Sequence, residues 1–264
     1  MPLIIIHLLG CFLGLMMYLL DAKFRNRTIK HINQSKIVTG KIAIKSLIIS
    51  NAMHIGMALM ESFSIWSASK SRIKRLVVRT KNWDLIEILK SNNKGIIFLT
   101  PHVGSFEISA QYYGLFSPIK VMYKPTSTKW INQLIYHGRN KNLVTPVNIE
   151  LGGMKQILKA LKNGEAVGIL PDQVPPEGHG EWSNFFNQKV YTMTLVQKLH
   201  TLTKAPIIFA IGRRLKMGSG FEIELFEFKD SVTTKKIDEY IETIVKTSPE
   251  QYLWNYRRYK LPKP

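Results

Sequence analysis

From Gly95 onward, short apolar runs alternate with segments whose apolar residues recur at helical spacing, and that rhythm limits what the chain can fold into. The runs Gly95–Leu99, Ile119–Tyr123, Leu143–Ile149 and Ala166–Leu170 predict buried strands. Segments around Lys129–Arg139 and Met154–Leu161 predict helices between them, the second closed by Asn163-Gly164 in the manner of a C-cap. Such alternation implies βαβ units, and therefore an α/β fold with a largely parallel central sheet flanked by helices. Further on, a helix over Thr192–Leu202, a strand Pro206–Ile211 and an alternating strand Phe221–Phe226 are expected, with Lys216–Gly220 as a hairpin-like turn. Ser248-Pro249-Glu250-Gln251 combines a capping box with Pro at the first helical position, which predicts a final helix. There are no internal repeats and no low-complexity linkers.

Ahead of this region, Leu3–Leu20 is almost wholly apolar, and His7 is its one side chain able to carry charge. At 1.5 Å per residue it would reach about 27 Å, just enough for a bilayer. Lys23, Arg25, Arg27 and Lys30 follow it, so the positive-inside rule places the remainder in the cytoplasm. A cleaved signal peptide fits less well, because a basic n-region and a small-x-small site are both missing. The expected organisation is a membrane anchor over residues 1–22 and a cytoplasmic domain over 23–264. Ile42–Trp66 mixes aliphatic residues with Lys45, Asn51, His54 and Glu61, and reads as one or two amphipathic helices; Met53, Met57 and Met60 recur in it at packing spacing. Asn82–Leu89 reads as a short helix, and Ser91–Gly95 as the turn before the next strand.

Composition narrows the partners. With 37 Lys+Arg against 18 Asp+Glu the 264-residue chain carries a formal charge of +19, which favours an anionic lipid surface, nucleic acid, or an acidic protein or substrate. The single cysteine, Cys11, excludes an internal disulfide and a multi-Cys metal site, and the seven histidines show no His-x-x-x-His spacing. No metal or bound cofactor is expected.

The stretch that carries chemistry is Thr100-Pro101-His102-Val103-Gly104-Ser105-Phe106-Glu107, between the strand ending at Leu99 and a helix start at Phe106. Reacting groups collect at strand ends of α/β sheets, where a rigid scaffold holds loops that substrate can reach. His102 and Glu107 can meet if the histidine lies in the loop and the acid in the first helical turn, with Gly104 allowing the bend. A carboxylate on one imidazole nitrogen fixes the tautomer and leaves the other to deprotonate a hydroxyl. A covalent route lacks an evident nucleophile, because Cys11 lies in the apolar segment and no Gly-x-Ser-x-Gly is present.

Several segments in fixed order resemble the bacterial lipid A secondary acyltransferases, the lauroyl/myristoyl transferase family. They are Pro101–Glu107, Met122–Pro125 followed by Gly138-Arg139, Lys159–Glu165 and Pro171-Asp172-Gln173. Phe185-Phe186, Ala205-Pro206, Arg213-Arg214 and Pro249–Trp254 with Arg257–Lys260 continue the match. The resemblance implies a glycerolipid-acyltransferase-like fold, and an inner-membrane enzyme moving a fatty acyl group from acyl carrier protein to a hydroxyl of a phosphorylated glycolipid. It places the catalytic pair on His102 and Glu107, and substrate-contacting or site-supporting roles on Arg139, Asp172, Gln173 and Arg213. Acidic carrier, phosphorylated acceptor and anionic leaflet would share one basic surface. Arg257, Arg258 and Lys260, interleaved with Tyr252, Trp254, Tyr256 and Tyr259, suit an interfacial helix. The same chemistry on a lysophospholipid or another hydroxylated lipid is a second reading. A membrane-tethered nucleic-acid-binding protein is a third, without a supporting motif.

Overall fold

Adjacent residues of a strand point to opposite faces, and here both faces are covered. Ile96 and Phe98 face one side and Ile97 and Leu99 the other, all four buried, as a strand sandwiched between helical layers requires. The computed structural model describes residues 1–90, 94–126 and 128–263; most of the expected turn at Ser91–Gly95 lies outside them. Four helices come first: α1 (Leu3–Leu20), α2 (Ala22–Ser35), α3 (Lys41–Trp66) and α4 (Lys70–Leu76). Then follow β1 (Val77–Lys81), α5 (Asp84–Lys90), β2 (Ile96–Leu99), α6 (Phe106–Tyr113), β3 (Ile119–Tyr123), α7 (Lys129–Arg139), β4 (Val144–Asn148), α8 (Met154–Lys162) and β5 (Ala166–Ile169). A hairpin of β6 (Gly180–Phe185) and β7 (Gln188–Met193) leads into α9 (Leu195–Thr203), β8 (Ile207–Arg214), β9 (Phe221–Glu227) and α10 (Thr234–Thr247).

The central sheet has seven strands in the order β1-β9-β8-β2-β5-β3-β4. Its five strands from β8 to β4 run parallel; β9 pairs antiparallel with β8 through the expected turn, and β1 runs parallel to β9. The largely parallel α/β sheet read from the sequence is therefore present. Helices α4, α5 and α6 pack on the Ile96/Phe98 face and α8, α9 and α10 on the Ile97/Leu99 face.

The apolar amino-terminal helix is built into this body. Leu3 and Ile6 of α1 join the core on the Ile96/Phe98 face, together with Ile65 of α3. Contacts of His7 with Glu61, Gly10 with Met57 and Gly14 with Ala52 set α1 and α3 antiparallel. The two backbones lie so close that a Cβ built on Gly14 would fall 2.0 Å from the Ala52 carbonyl oxygen. By length and composition α1 and α3 could each cross a membrane.

Two expectations are corrected. Thr192 and Met193 belong to β7, and the helix begins only at Leu195. The β6–β7 turn has no Gly: Phe186 and Asn187 both adopt positive φ, 47° and 59°, as a two-residue hairpin turn demands. The carboxyl-terminal segment forms no interfacial helix. Pro249–Gln251 makes one 3-10 turn, after which Tyr252 bridges to Val103 and the chain continues in turns. Tyr252, Trp254 and Arg258 are buried, so three of the side chains expected at a lipid surface serve packing instead.

Arg258 shows what holds this segment. Its guanidinium donates to Asp238 Oδ1 on α10 at 2.7 Å, to Thr192 Oγ1 at 2.5 Å and to the Tyr191 carbonyl at 3.0 Å. Removing one partner of a buried pair strands the other charge in a poor solvent. Arg258→Ala is therefore expected to destabilise the fold by about 3–5 kcal/mol, read as a lower denaturation midpoint in urea.

Candidate active site

β2 and β5 are parallel neighbours with Leu99 paired to Ile169. His102 lies three residues beyond the first and Asp172 three beyond the second, so equal extensions of paired strands bring the two side chains together. Asp172 Oδ1 lies 2.8 Å from His102 Nδ1, and its Oδ2 accepts from the His102 backbone N–H at 2.9 Å. A carboxylate only accepts, so Nδ1 carries the hydrogen and the neutral ring presents Nε2 as a base. Gln173 sets its side-chain nitrogen 3.3 Å from that Nε2.

Burial pushes the Asp172 carboxyl upward. The positive charge His102 carries when protonated, the two hydrogen bonds it donates and the field of Arg258 outweigh it and hold the group below the usual carboxylate range. Asp172 is only 2% exposed and His102 8%. Phe106 meets the imidazole edge-on at 4.9 Å between centroids, and Tyr256 stacks on it at 6.4 Å.

The loop is fixed by its backbone. Gly104 at φ +67° donates to the Gln251 carbonyl, Ser105 N donates to the Gly212 carbonyl at 2.7 Å, and Leu253 N donates to the His102 carbonyl at 3.0 Å. A Cβ on Gly104 would meet the Gly212 oxygen at 2.2 Å. That turn decides which residue of α6 faces the imidazole: it is Phe106. Glu107 points elsewhere, and its carboxylate receives Arg139 Nε at 3.1 and 3.0 Å and also pairs with Nη2. The expected His102–Glu107 pairing is thus not formed, since Nδ1 is occupied by Asp172 and Glu107 is engaged by Arg139. The Arg139 carbonyl in turn accepts from Gln111 at 2.9 Å, tying α7 to α6. Burial works against the Arg139 charge, and the adjacent Glu107 more than restores it, so its pKa is raised.

Arg213 does not join this group: it donates to Glu224 Oε2 at 3.0 Å and to Ser248 Oγ at 2.7 Å. Arg214 is buried against Glu61 of α3. Phe106 and Tyr256 were not expected at the histidine from sequence. Tyr256 was legible only as an aromatic in a basic segment, with nothing local to aim it at a residue so far back in the chain.

Beside the histidine, on the Ile96/Phe98 face, lies a narrow apolar recess with only about 30 Å³ of free space. Thr100 and Phe106 line it near His102, Glu107 and Arg139 contribute its charged wall, and Gly168, Val121 and Ile119 line it along the sheet. A histidine base held by a buried carboxylate, next to an apolar recess, is equipped to pass an acyl group to a hydroxyl.

Comparison with known proteins agrees. The family of bacterial lipid A biosynthesis acyltransferases matches residues 1–261, and the chain belongs to that family. It is 25% identical over 279 residues to the lipid A biosynthesis lauroyltransferase of Escherichia coli (strain K12), covering 98% of this chain and 87% of that one. To the palmitoleoyltransferase of the same organism it is 26% identical over 223 residues, covering 82% and 72%. To the myristoyltransferase it is 23% identical over 215 residues, covering 79% and 66%. The protein is accordingly an acyltransferase of lipid A biosynthesis.

Because the folded Asp172 carboxyl titrates below its unfolded value, its contribution to stability is present above the unfolded pKa and lost as pH falls through the folded one. The stability gap between wild type and Asp172→Asn should therefore widen as pH rises to about 4 and stay level above, checked by denaturation midpoints of both proteins from pH 3 to 7.

Proposed function

We propose that the protein transfers a fatty acyl chain from the thioester of acyl carrier protein to a hydroxyl of a lipid A precursor at the cytoplasmic face of the inner membrane, with no bound cofactor. The observation that carries the mechanism is the 2.8 Å contact of His102 Nδ1 with Asp172. His102 Nε2 takes the proton of the acceptor hydroxyl, and the alkoxide oxygen attacks the thioester carbonyl. The tetrahedral intermediate collapses, the carbon–sulfur bond breaks, and the imidazolium returns its proton to the leaving thiolate. Asp172 orients the ring and stabilises the imidazolium. Gln173 can donate to the developing oxyanion beside Nε2.

Glu107 then acts by holding Arg139 at the cavity wall, where the guanidinium can meet an anionic group of either substrate. The acyl groups named for the relatives support a saturated or monounsaturated chain, and such a chain would lie along Gly168 only once the side chains lining the narrow recess move apart. The same machinery acting on a lysophospholipid is the second reading; product mass spectrometry with each acceptor separates the two.

His102→Ala and Asp172→Asn are expected to lower kcat by about 10²–10⁴-fold, while Glu107→Gln raises KM more than it lowers kcat, measured with purified enzyme and acyl carrier protein thioesters. Near-wild-type kcat for His102→Ala would end the mechanism. A side chain on Gly168 would grow toward Val121 and Ile119, both about 3.5 Å from its Cβ position. Gly168→Leu should shift preference to shorter donors by roughly tenfold or more per excluded methylene, read from competition between thioesters of different length.

A further inference from the structure

α1 is the most apolar stretch of the chain, yet both of its ends are fastened to the same α/β body. At its start, the Met1 carbonyl accepts from Arg72 of α4 at 2.6 Å, and Ile4 lies against Gly218 in the β8–β9 turn. One turn on, His7 reaches Glu61 at 2.6 Å, and the same carboxylate pairs with Arg214 of β8. At its other end, Met17 and Tyr18 pack against the cluster of Phe24, Ala52 and Ile55 that Leu253 also covers, and Arg25 donates to the Tyr18 and Leu19 carbonyls.

A helix that crosses a bilayer must carry one end about 30 Å away from the other side. Doing so here would pull His7 off the fully buried Glu61 and separate the close Gly10–Met57 and Gly14–Ala52 backbone contacts from the body that α3 joins. The outward side of α1 nevertheless exposes Ile5, Leu8, Phe12 and Leu19 along its whole length, and its partner helix adds Leu59 and Phe63. Cations bracket both ends: Lys74 and Arg75 of α4 at the start, Lys23 and Lys30 of α2 at the finish, all exposed. A spanning helix would concentrate them on one side, whereas a helix lying in the plane of an anionic leaflet is served at both ends.

We infer that the antiparallel α1–α3 pair lies in the plane of one leaflet of an anionic bilayer and does not cross it, so that the amino terminus stays on the same side as His102. This rests on the membrane association in the proposed function and replaces the single-pass anchor expected from sequence. It also brings the platform close to the reacting group. Asn51 of α3 donates to the Tyr252 carbonyl at 2.6 Å, and Leu253, the next residue, donates to the His102 carbonyl. An acceptor lipid would reach the histidine from the leaflet in which the platform is seated.

The test uses full-length protein with Cys11→Ser and single nitroxide labels on Ile5→Cys, Leu8→Cys, Phe12→Cys or Leu19→Cys, in vesicles of phosphatidylethanolamine and phosphatidylglycerol. Oxygen and nickel-chelate accessibilities give the depth of each label. An in-plane helix places all four at one shallow depth, equal within about one helical turn of 5 Å. A profile deepest at Phe12 and shallower toward Ile5 and Leu19, at about 1.5 Å per residue, means a crossing helix and overturns the proposal while sparing membrane association. Labels that meet water at all four positions, with protein left off the vesicles, overturn both.

Discussion

A carboxylate taken almost wholly out of water must be met by a donor, and at Asp172 the donor is His102. The ring and the main-chain N–H both reach it, so the side chain fixes the imidazole and the backbone that carries it. That double contact depends on β2 and β5 being adjacent, parallel and in register. The sheet order is thereby tied to the chemistry: with another strand between them, the histidine would lack its acid and the acid its donor. Glu107 and Arg139 repeat the logic a short way off, where a half-buried cation and a buried anion settle each other and join α6 to α7.

The strands and helices from Ile96 to Ile169 were legible in the sequence because each has a strong local period and turn residues at its ends. The hairpin β6–β7 was not, because its turn uses Phe186 and Asn187 in place of glycine. The carboxyl-terminal segment misled for another reason. Ser248-Pro249-Glu250 does start a helical turn, but long-range bonds from Gly104 and Asn51 claim the carbonyls of Gln251 and Tyr252 and draw the chain out of the helix. His102 could be singled out from its place after a strand. Its partner could not, since strand order is a property of the whole sheet, and the acid nearest in sequence was the wrong one.

The apolar surface divides in the same way. Composition says that Leu3–Leu20 is greasy enough for lipid; only tertiary structure says which of its sides already has a partner. Close approach of Gly10 and Gly14 to α3 consumes one side, and the contact of His7 with the buried Glu61–Arg214 pair explains why a histidine interrupts an otherwise apolar run.

Tyr256 stacks on the histidine, Tyr252 bridges to the loop that bears it, and Arg258 ties their segment to α10 and β7, all of them residues that follow α10. During synthesis these residues emerge after every strand of the sheet, so the sheet behind them is free to form first. A nascent chain that has emerged only as far as β9 would carry its histidine and aspartate side by side without the wall that encloses them.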